Sequence, residues 1–183
     1  MIRFTRVSRG ILSLDSLDLG PGLISVIGPN GSGKTTFLKV CAGITRPGSG
    51  SVEIDGKDPR KTDIGWVNEF PDRNFLFDGV SDEVSSGLRF AHLTPDEIKR
   101  RTRDTLKSLE LLHLATRSVQ ELSGGEKVLI ALAAAIAPNP SVLVLDECDS
   151  HLDARSIQSV GRIIHALTIP YIIGSTQDME TAA

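Results

Sequence analysis

The sequence predicts an α/β fold: a mainly parallel sheet with helices packed on it, antiparallel strands at the N-terminus, and an inserted helical subdomain. Three observations predict it. Apolar runs bounded by turn residues alternate with helical patterns at both ends of the chain, as in strand–helix–strand units. The middle, from Pro71 to Gln120, is helical in pattern and richer in charge. A glycine-rich stretch, Gly28-Pro29-Asn30-Gly31-Ser32-Gly33-Lys34-Thr35, joins an apolar strand to a helix. With 183 residues the chain has room for one core and a small insertion. The core is expected over about 1–70 and 127–183, and the helical subdomain over about 71–126.

Ile2 to Val7 and Leu12 to Leu19 read as short strands, and Pro21-Gly22 as the turn after the second. Leu23 to Ile27 is a continuous apolar run ending in glycine, which predicts a buried parallel strand. Lys34 to Ala42 should be a helix, closed by Gly43 and the Arg46-Pro47-Gly48 turn. Ser51 to Ile54 and Ile64 to Val67 are further strands. Thr94-Pro95-Asp96-Glu97 starts a helix, with threonine as cap and proline in the first position. Its stripe runs through Ile98, Thr102, Thr105/Leu106, Leu109 and Leu112/His113 at helical spacing. A second long helix follows Ser123 to about Ala137. Val142 to Leu145 is a buried strand, Asp153 to Leu167 a helix, and Tyr171 to Ile173 a strand.

Composition narrows the function classes. Hydrophobic and charged fractions of 40% and 23% are those of a folded soluble chain. A net charge of −3 gives no general attraction to nucleic acid or anionic lipid. The longest apolar run, Val128 to Ala137, stops at Pro138 and is too short to cross a membrane. The N-terminus lacks a signal-peptide core. Cys41 and Cys148 form neither a disulfide framework nor a metal-ligand spacing, which points to a reducing, cytoplasmic setting. Any membrane role is expected through partners.

Three elements carry the chemistry. Gly28-x4-Gly33-Lys34-Thr35 between strand and helix is the pattern of a P-loop. Its glycines let backbone N–H groups turn toward phosphate oxygens, and the helix start adds partial positive charge. Lys34 is expected to reach the β- and γ-phosphates, and Thr35 to ligate Mg²⁺. Val142-Leu143-Val144-Leu145-Asp146-Glu147 puts two carboxylates where an apolar strand ends, the place where α/β sheets bind ligands. Asp146 would hold Mg²⁺, and Glu147 would deprotonate the attacking water. Ser123-Gly124-Gly125-Glu126 reads as a capping box, serine with glutamate three residues on. Capping leaves both glycines unexplained, since glycine inside a helix costs ~1 kcal/mol relative to alanine. Glycine there leaves the first-turn N–H groups open to an anion.

With these elements in this order, the sequence resembles the ATP-binding cassette (ABC) ATPases across nearly its whole length. It has a Walker A loop at 28–35, an LSGGE signature at 122–126, a Walker B strand at 142–147 and a D-loop-like Ser150-His151-Leu152-Asp153. The resemblance implies a P-loop NTPase core and Mg·ATP held by Gly28, Pro29, Asn30, Gly31, Ser32, Gly33, Lys34, Thr35 and Thr36. It implies that Ser123, Gly124 and Gly125 bind the γ-phosphate in a partner's site, so that a homo- or heterodimer forms around the nucleotide. Closure of that dimer would act on transmembrane permease subunits at the inner face of the membrane. The stretch from Pro71 to Phe77, with Val80 to Val84 and Gly87-Leu88, is similar to the ATPases of energy-coupling-factor importers, which take up cobalt, nickel and vitamins. The other reading is a nucleotide-gated dimerisation module with little turnover.

The sequence also departs from that family. Glu69 stands where the Q-loop glutamine is expected, and Gln177 where the switch histidine is expected. By the resemblance both belong to the catalytic set, and a carboxylate at Glu69 can also ligate Mg²⁺ while adding negative charge beside a triphosphate. Glutamine donates a hydrogen bond but carries no proton at neutral pH, so slower hydrolysis is expected. No aromatic residue precedes the Walker A strand where adenine usually stacks, leaving Arg9 as a substitute. Cys148 replaces the usual proline, and the chain ends soon after Gln177, before the family's terminal strand and helices. Lys99-Arg100-Arg101 reads as the solvated face of a helix, Trp66 as a core residue, and His151 as a loop residue near a dimer contact.

Overall fold

A computed structural model describes residues 1–176, the Asp72 side chain excepted. The strands are β1 (Ile2–Arg9), β2 (Leu12–Leu19), β3 (Gly22–Ile27), β4 (Ser49–Ile54), β5 (Ile64–Val67), β6 (Val142–Asp146) and β7 (Tyr171–Thr176). The helices are α1 (Lys34–Cys41), α2 (Val80–Ser85), α3 (Pro95–Ser108), α4 (Gly124–Ile136) and α5 (Ala154–Ala166). Two units emerge from this order. Among the described residues, one holds Met1–Ile64, Ser141–Glu147 and residues 169–176; the other holds Gly65–Pro140 and Cys148–Thr168.

In the first unit, β1 lies between β2 and β4 in an antiparallel sheet. Alternation along β1 buries Ile2 and Phe4, and Phe4 stacks on Phe37 of α1 with ring centroids 5.0 Å apart. The parallel strands run β3, β7, β6, with Val26 and Asp146 both in register with Ser175. α1 packs on β6 and β7. Every residue of β6 is buried, as expected of an apolar run in a parallel sheet. The same expectation fails for β3. It is parallel, yet Leu23 and Ile27 are each 48% exposed. Among the described strands β3 pairs with β7 alone, so one edge and part of one face stay open to solvent. An apolar run by itself does not distinguish an edge strand from a central one.

The second unit is helical and has its own core of Val80, Val84, Leu88, Leu106, Leu114 and Ile130. α4 is apolar on most of its circumference because it is central: α2, α3 and α5 all pack on it. Local signals set the helix starts. Thr94 Oγ1 accepts from the Glu97 N–H at 3.3 Å, with Pro95 in the first position. Asp153 caps α5 from Oδ1, 2.8 Å from the Ser156 N. Glu83, although buried, is satisfied by the N–H groups of Leu76 and Phe77 at 2.8 and 2.9 Å. Trp66 is half-buried rather than in the core, and its indole N–H donates to Asn68.

Candidate nucleotide-binding site

The first unit gathers Lys34, Thr35, Asp146 and Glu147. The loop from Gly28 to Gly33 links β3 to α1, and two of its glycines have left-handed backbone angles, φ +78° at Gly31 and +96° at Gly33. Side-chain-bearing residues rarely adopt such angles. Gly33 occupies the N-cap of α1, where no side chain caps the helix and no acidic residue stands in the first turn. The positive end of the helix is therefore left for an external anion. Lys34 is the first residue of α1 and is buried. Its Nζ donates to the carbonyls of Gly28 at 2.7 Å and Pro29 at 3.3 Å, and lies 2.9 Å from Glu147 Oε1.

β6 delivers the carboxylates. Asp146 is its last residue, and its Oδ1 accepts from Thr35 Oγ1 and from Ser175 Oγ, both at 3.0 Å. Glu147 follows with φ +50°, an uncommon backbone for a residue with a side chain and one that clusters at functional sites. Two acceptors hold it there: the Glu147 N–H points to the Ser175 carbonyl and to Ser175 Oγ, each at 3.2 Å. Ser175 is the residue that sequence reasoning missed. Its signal was a serine at the end of a strand parallel to β6, in register with Asp146. The donor set suits Mg²⁺: a threonine hydroxyl and a carboxylate, adjacent, all oxygen. The loop and helix start suit phosphate, and the Lys34 ammonium matches its charge.

The remaining expected residues lie in the second unit or beyond it. Ser123 caps α4 in a full capping box: its N–H and Oγ donate to Glu126 Oε2 at 2.8 and 2.7 Å, and the Glu126 N–H returns to Ser123 Oγ at 3.3 Å. These bonds hold the Glu126 carboxyl below its ordinary range. The two glycines then separate. A Cβ on Gly125 would stand 2.5 Å from Ser156 Oγ and 2.9 Å from Ser156 Cβ, so α5 needs glycine there. A Cβ on Gly124 would meet nothing within 4 Å. Packing thus explains Gly125, whereas Gly124 fronts open space at an exposed helix start. Glu69 Oε1 lies 3.1 Å from His151 Nε2. Gln177 lies outside the described residues.

Residues 14–150 match the family model described as ABC transporter. The chain belongs to that family. A biotin transport ATP-binding protein of Rhizobium etli is 37% identical, over 87% of this chain and 73% of its own. An energy-coupling factor transporter ATP-binding protein of Latilactobacillus sakei is 35% identical, over 98% and 68%. A Pyrococcus furiosus protein provisionally named an ABC transporter ATP-binding protein is 37% identical, and this chain spans 63% of its length, less than two thirds. Among solved structures, cbiO1 of Clostridium perfringens, described as part of the ABC transporter complex cbiONQ, superposes with a TM-score of 0.87 at 27% identity. The match covers 97% of this cassette and 78% of that chain. The fold is the α/β cassette of this family.

Proposed function

We propose that this cassette binds Mg·ATP, closes over it with a second cassette, and hydrolyses the γ-phosphate to drive membrane permease subunits. The observation that carries the reading is the cluster of Lys34, Thr35, Asp146 and Glu147 around an uncapped helix start. The triphosphate takes the loop N–H groups and draws Lys34 Nζ away from Glu147. Thr35 and Asp146 hold Mg²⁺, which when bound neutralises charge on the phosphate oxygens. Glu147, released from Lys34, accepts the proton of the attacking water. The water oxygen bonds to the γ-phosphorus, the bond to the β,γ-bridging oxygen breaks, and ADP leaves with that electron pair. Glu69 and Gln177 serve this step as polar groups toward water, metal and γ-phosphate. Ser123, Gly124 and Gly125 serve the partner's nucleotide, in a homodimer or a heterodimer.

A groove of about 600 Å³ in the helical unit suits a permease segment. Its walls include Ile98, Leu106 and Leu112, and its rim carries Lys99 and Arg103. Thr102, which also lines it, is buried with its hydroxyl lacking any partner in the structure. An apolar, acid-flanked segment at the cytoplasmic face of a permease would complement all three features. The name of the Latilactobacillus sakei relative favours a transporter of the energy-coupling-factor kind, and that of the Rhizobium etli relative favours a transport role. Phosphate release with Mg·ATP, measured with and without a candidate permease, tests the reading. Lys34→Ala should abolish both nucleotide retention and release. A chain that retains ATP and dimerises without turnover would instead be a nucleotide-gated module.

A further inference from the structure

Adjacent residues grip one imidazole on two sides. Glu69 Oε1 lies 3.1 Å from His151 Nε2 at the ring's edge. Phe70 stacks on the ring's face, centroids 4.6 Å apart and planes 22° apart. The Arg73 guanidinium lies over the same phenyl ring, 4.1 Å from its centroid. His151 itself sits on an anchored backbone. The Leu152 N–H donates to the Asp149 carbonyl at 3.1 Å, and Asp153 caps α5 two residues on.

Stability does not account for this arrangement. The Glu69 and His151 side chains are 42% and 56% exposed, and a wet pair of this kind contributes about 0–1 kcal/mol. What the contacts provide is orientation. A glutamate has three rotatable bonds, and a donor whose own ring is fixed by stacking selects one carboxylate placement among many. Among the described residues no third metal-ligating side chain joins the pair, so a separate metal centre has no ligand set.

We infer that His151 is a positioning residue for Glu69, aiming the carboxylate that stands in the Q-loop position; the inference rests on the ATPase reading above. The test compares kcat, KM and nucleotide affinity of the whole chain with Mg·ATP. The variants are His151→Phe, which keeps the stacking and loses the hydrogen bond, His151→Gln, which keeps a donor, Glu69→Ala, and the double variant Glu69→Ala/His151→Phe. His151→Phe and Glu69→Ala should each lower kcat by a similar factor, roughly three- to tenfold, the worth of one hydrogen bond. KM and affinity should hold, the double variant should fall no lower than Glu69→Ala, and His151→Gln should recover part of the loss. A second readout needs no turnover: in ¹⁵N NMR of the four histidines, Glu69→Ala should move the Nε2 signal of His151 alone. Additive losses, or an unmoved Nε2 signal, overturn the positioning role while leaving ATP hydrolysis intact. Absence of any wild-type turnover or nucleotide binding overturns the ATPase reading, and this inference with it.

Discussion

Lys34 Nζ lies 2.9 Å from Glu147 Oε1, with only 5% and 12% of the two side chains exposed. The cation expected to hold phosphate and the carboxylate expected to activate water thus neutralise each other. Breaking a buried pair by removing one charge leaves the other uncompensated, at a cost of up to about 3–5 kcal/mol. Glu147→Gln should therefore lower the thermal stability of the nucleotide-free chain. It should also enlarge the stabilisation produced by ATP, because phosphate then meets an unpaired ammonium. Loss of the base should cut kcat by roughly 10²-fold or more. Thermal melts with and without Mg·ATP check this, and an ATP-induced shift equal to wild type would contradict the pairing.

The glycines of the 123–126 element make opposite predictions. Gly125→Ala forces a Cβ to within 2.9 Å of Ser156 Cβ and should destabilise the chain by about 1–3 kcal/mol. Ser156→Gly in the same chain should restore most of it. Gly124→Ala meets nothing within 4 Å and should leave stability unchanged or raise it by up to ~1 kcal/mol. If the α4 start approaches a partner's phosphate, Gly124→Ala should still weaken ATP-driven dimerisation, roughly tenfold for one impaired charge-assisted hydrogen bond. Melting temperatures and sedimentation with ATP separate the two effects.

Much of this architecture was legible in the residues, because local chemistry and fold agree there. Thr94-Pro95 and Ser123-x-x-Glu126 mark their helix starts, and the apolar run 142–145 became the fully buried β6. The exposure of β3 was not legible, since which strand lies at an edge depends on pairings far along the chain. Nor was the separate fate of Gly124 and Gly125, which is set by Ser156 thirty-one residues beyond Gly125. The role of Ser175 arises from the parallel register of β6 and β7, and the pairing of Lys34 with Glu147 from the packing of α1 on that sheet. Glu69 and His151 stand in separate motifs eighty-two residues apart, and only the fold joins them.

Ser175→Ala removes one of the two hydroxyls on Asp146 Oδ1 and one of the two acceptors of the Glu147 N–H. Both groups keep a second partner, Thr35 Oγ1 and the Ser175 carbonyl. Loss of a buried hydrogen bond of this type costs about 1–3 kcal/mol. The expected result is a modest drop in melting temperature with a larger effect on the Mg²⁺ requirement, since Asp146 loses part of its orientation. Titrating turnover with Mg²⁺ checks it, and an unchanged midpoint would show that Thr35 alone suffices.

The capping box makes stability depend on pH with a definite sign. The Ser123 N–H and hydroxyl hold the Glu126 carboxyl below the ordinary glutamate range. A depressed folded pKa contributes stability that is fully present above the unfolded pKa and is lost as pH falls through the folded one. Wild type should therefore exceed Glu126→Gln in melting temperature at pH 6–7. That advantage should shrink as the pH falls below about 4.5. Denaturation of both proteins at a series of pH values tests this; a constant difference down to pH 3 would mean the box is held by shape rather than charge.

The substituted positions 69 and 177 bear on rate. Glu69 brings a negative charge where a neutral amide is expected, and Gln177 brings a donor that cannot carry a proton at neutral pH. Near a triphosphate an added carboxylate raises the electrostatic cost of the negatively charged transition state, and a lost proton carrier removes one means of relieving it. Glu69→Gln/Gln177→His should therefore turn over Mg·ATP faster than wild type. Glu69→Gln alone should show part of the gain, because its amide oxygen still accepts from His151. Steady-state phosphate release at saturating nucleotide measures the difference. Equal rates would mean that neither departure limits hydrolysis and that the slow step lies elsewhere, in closure or product release.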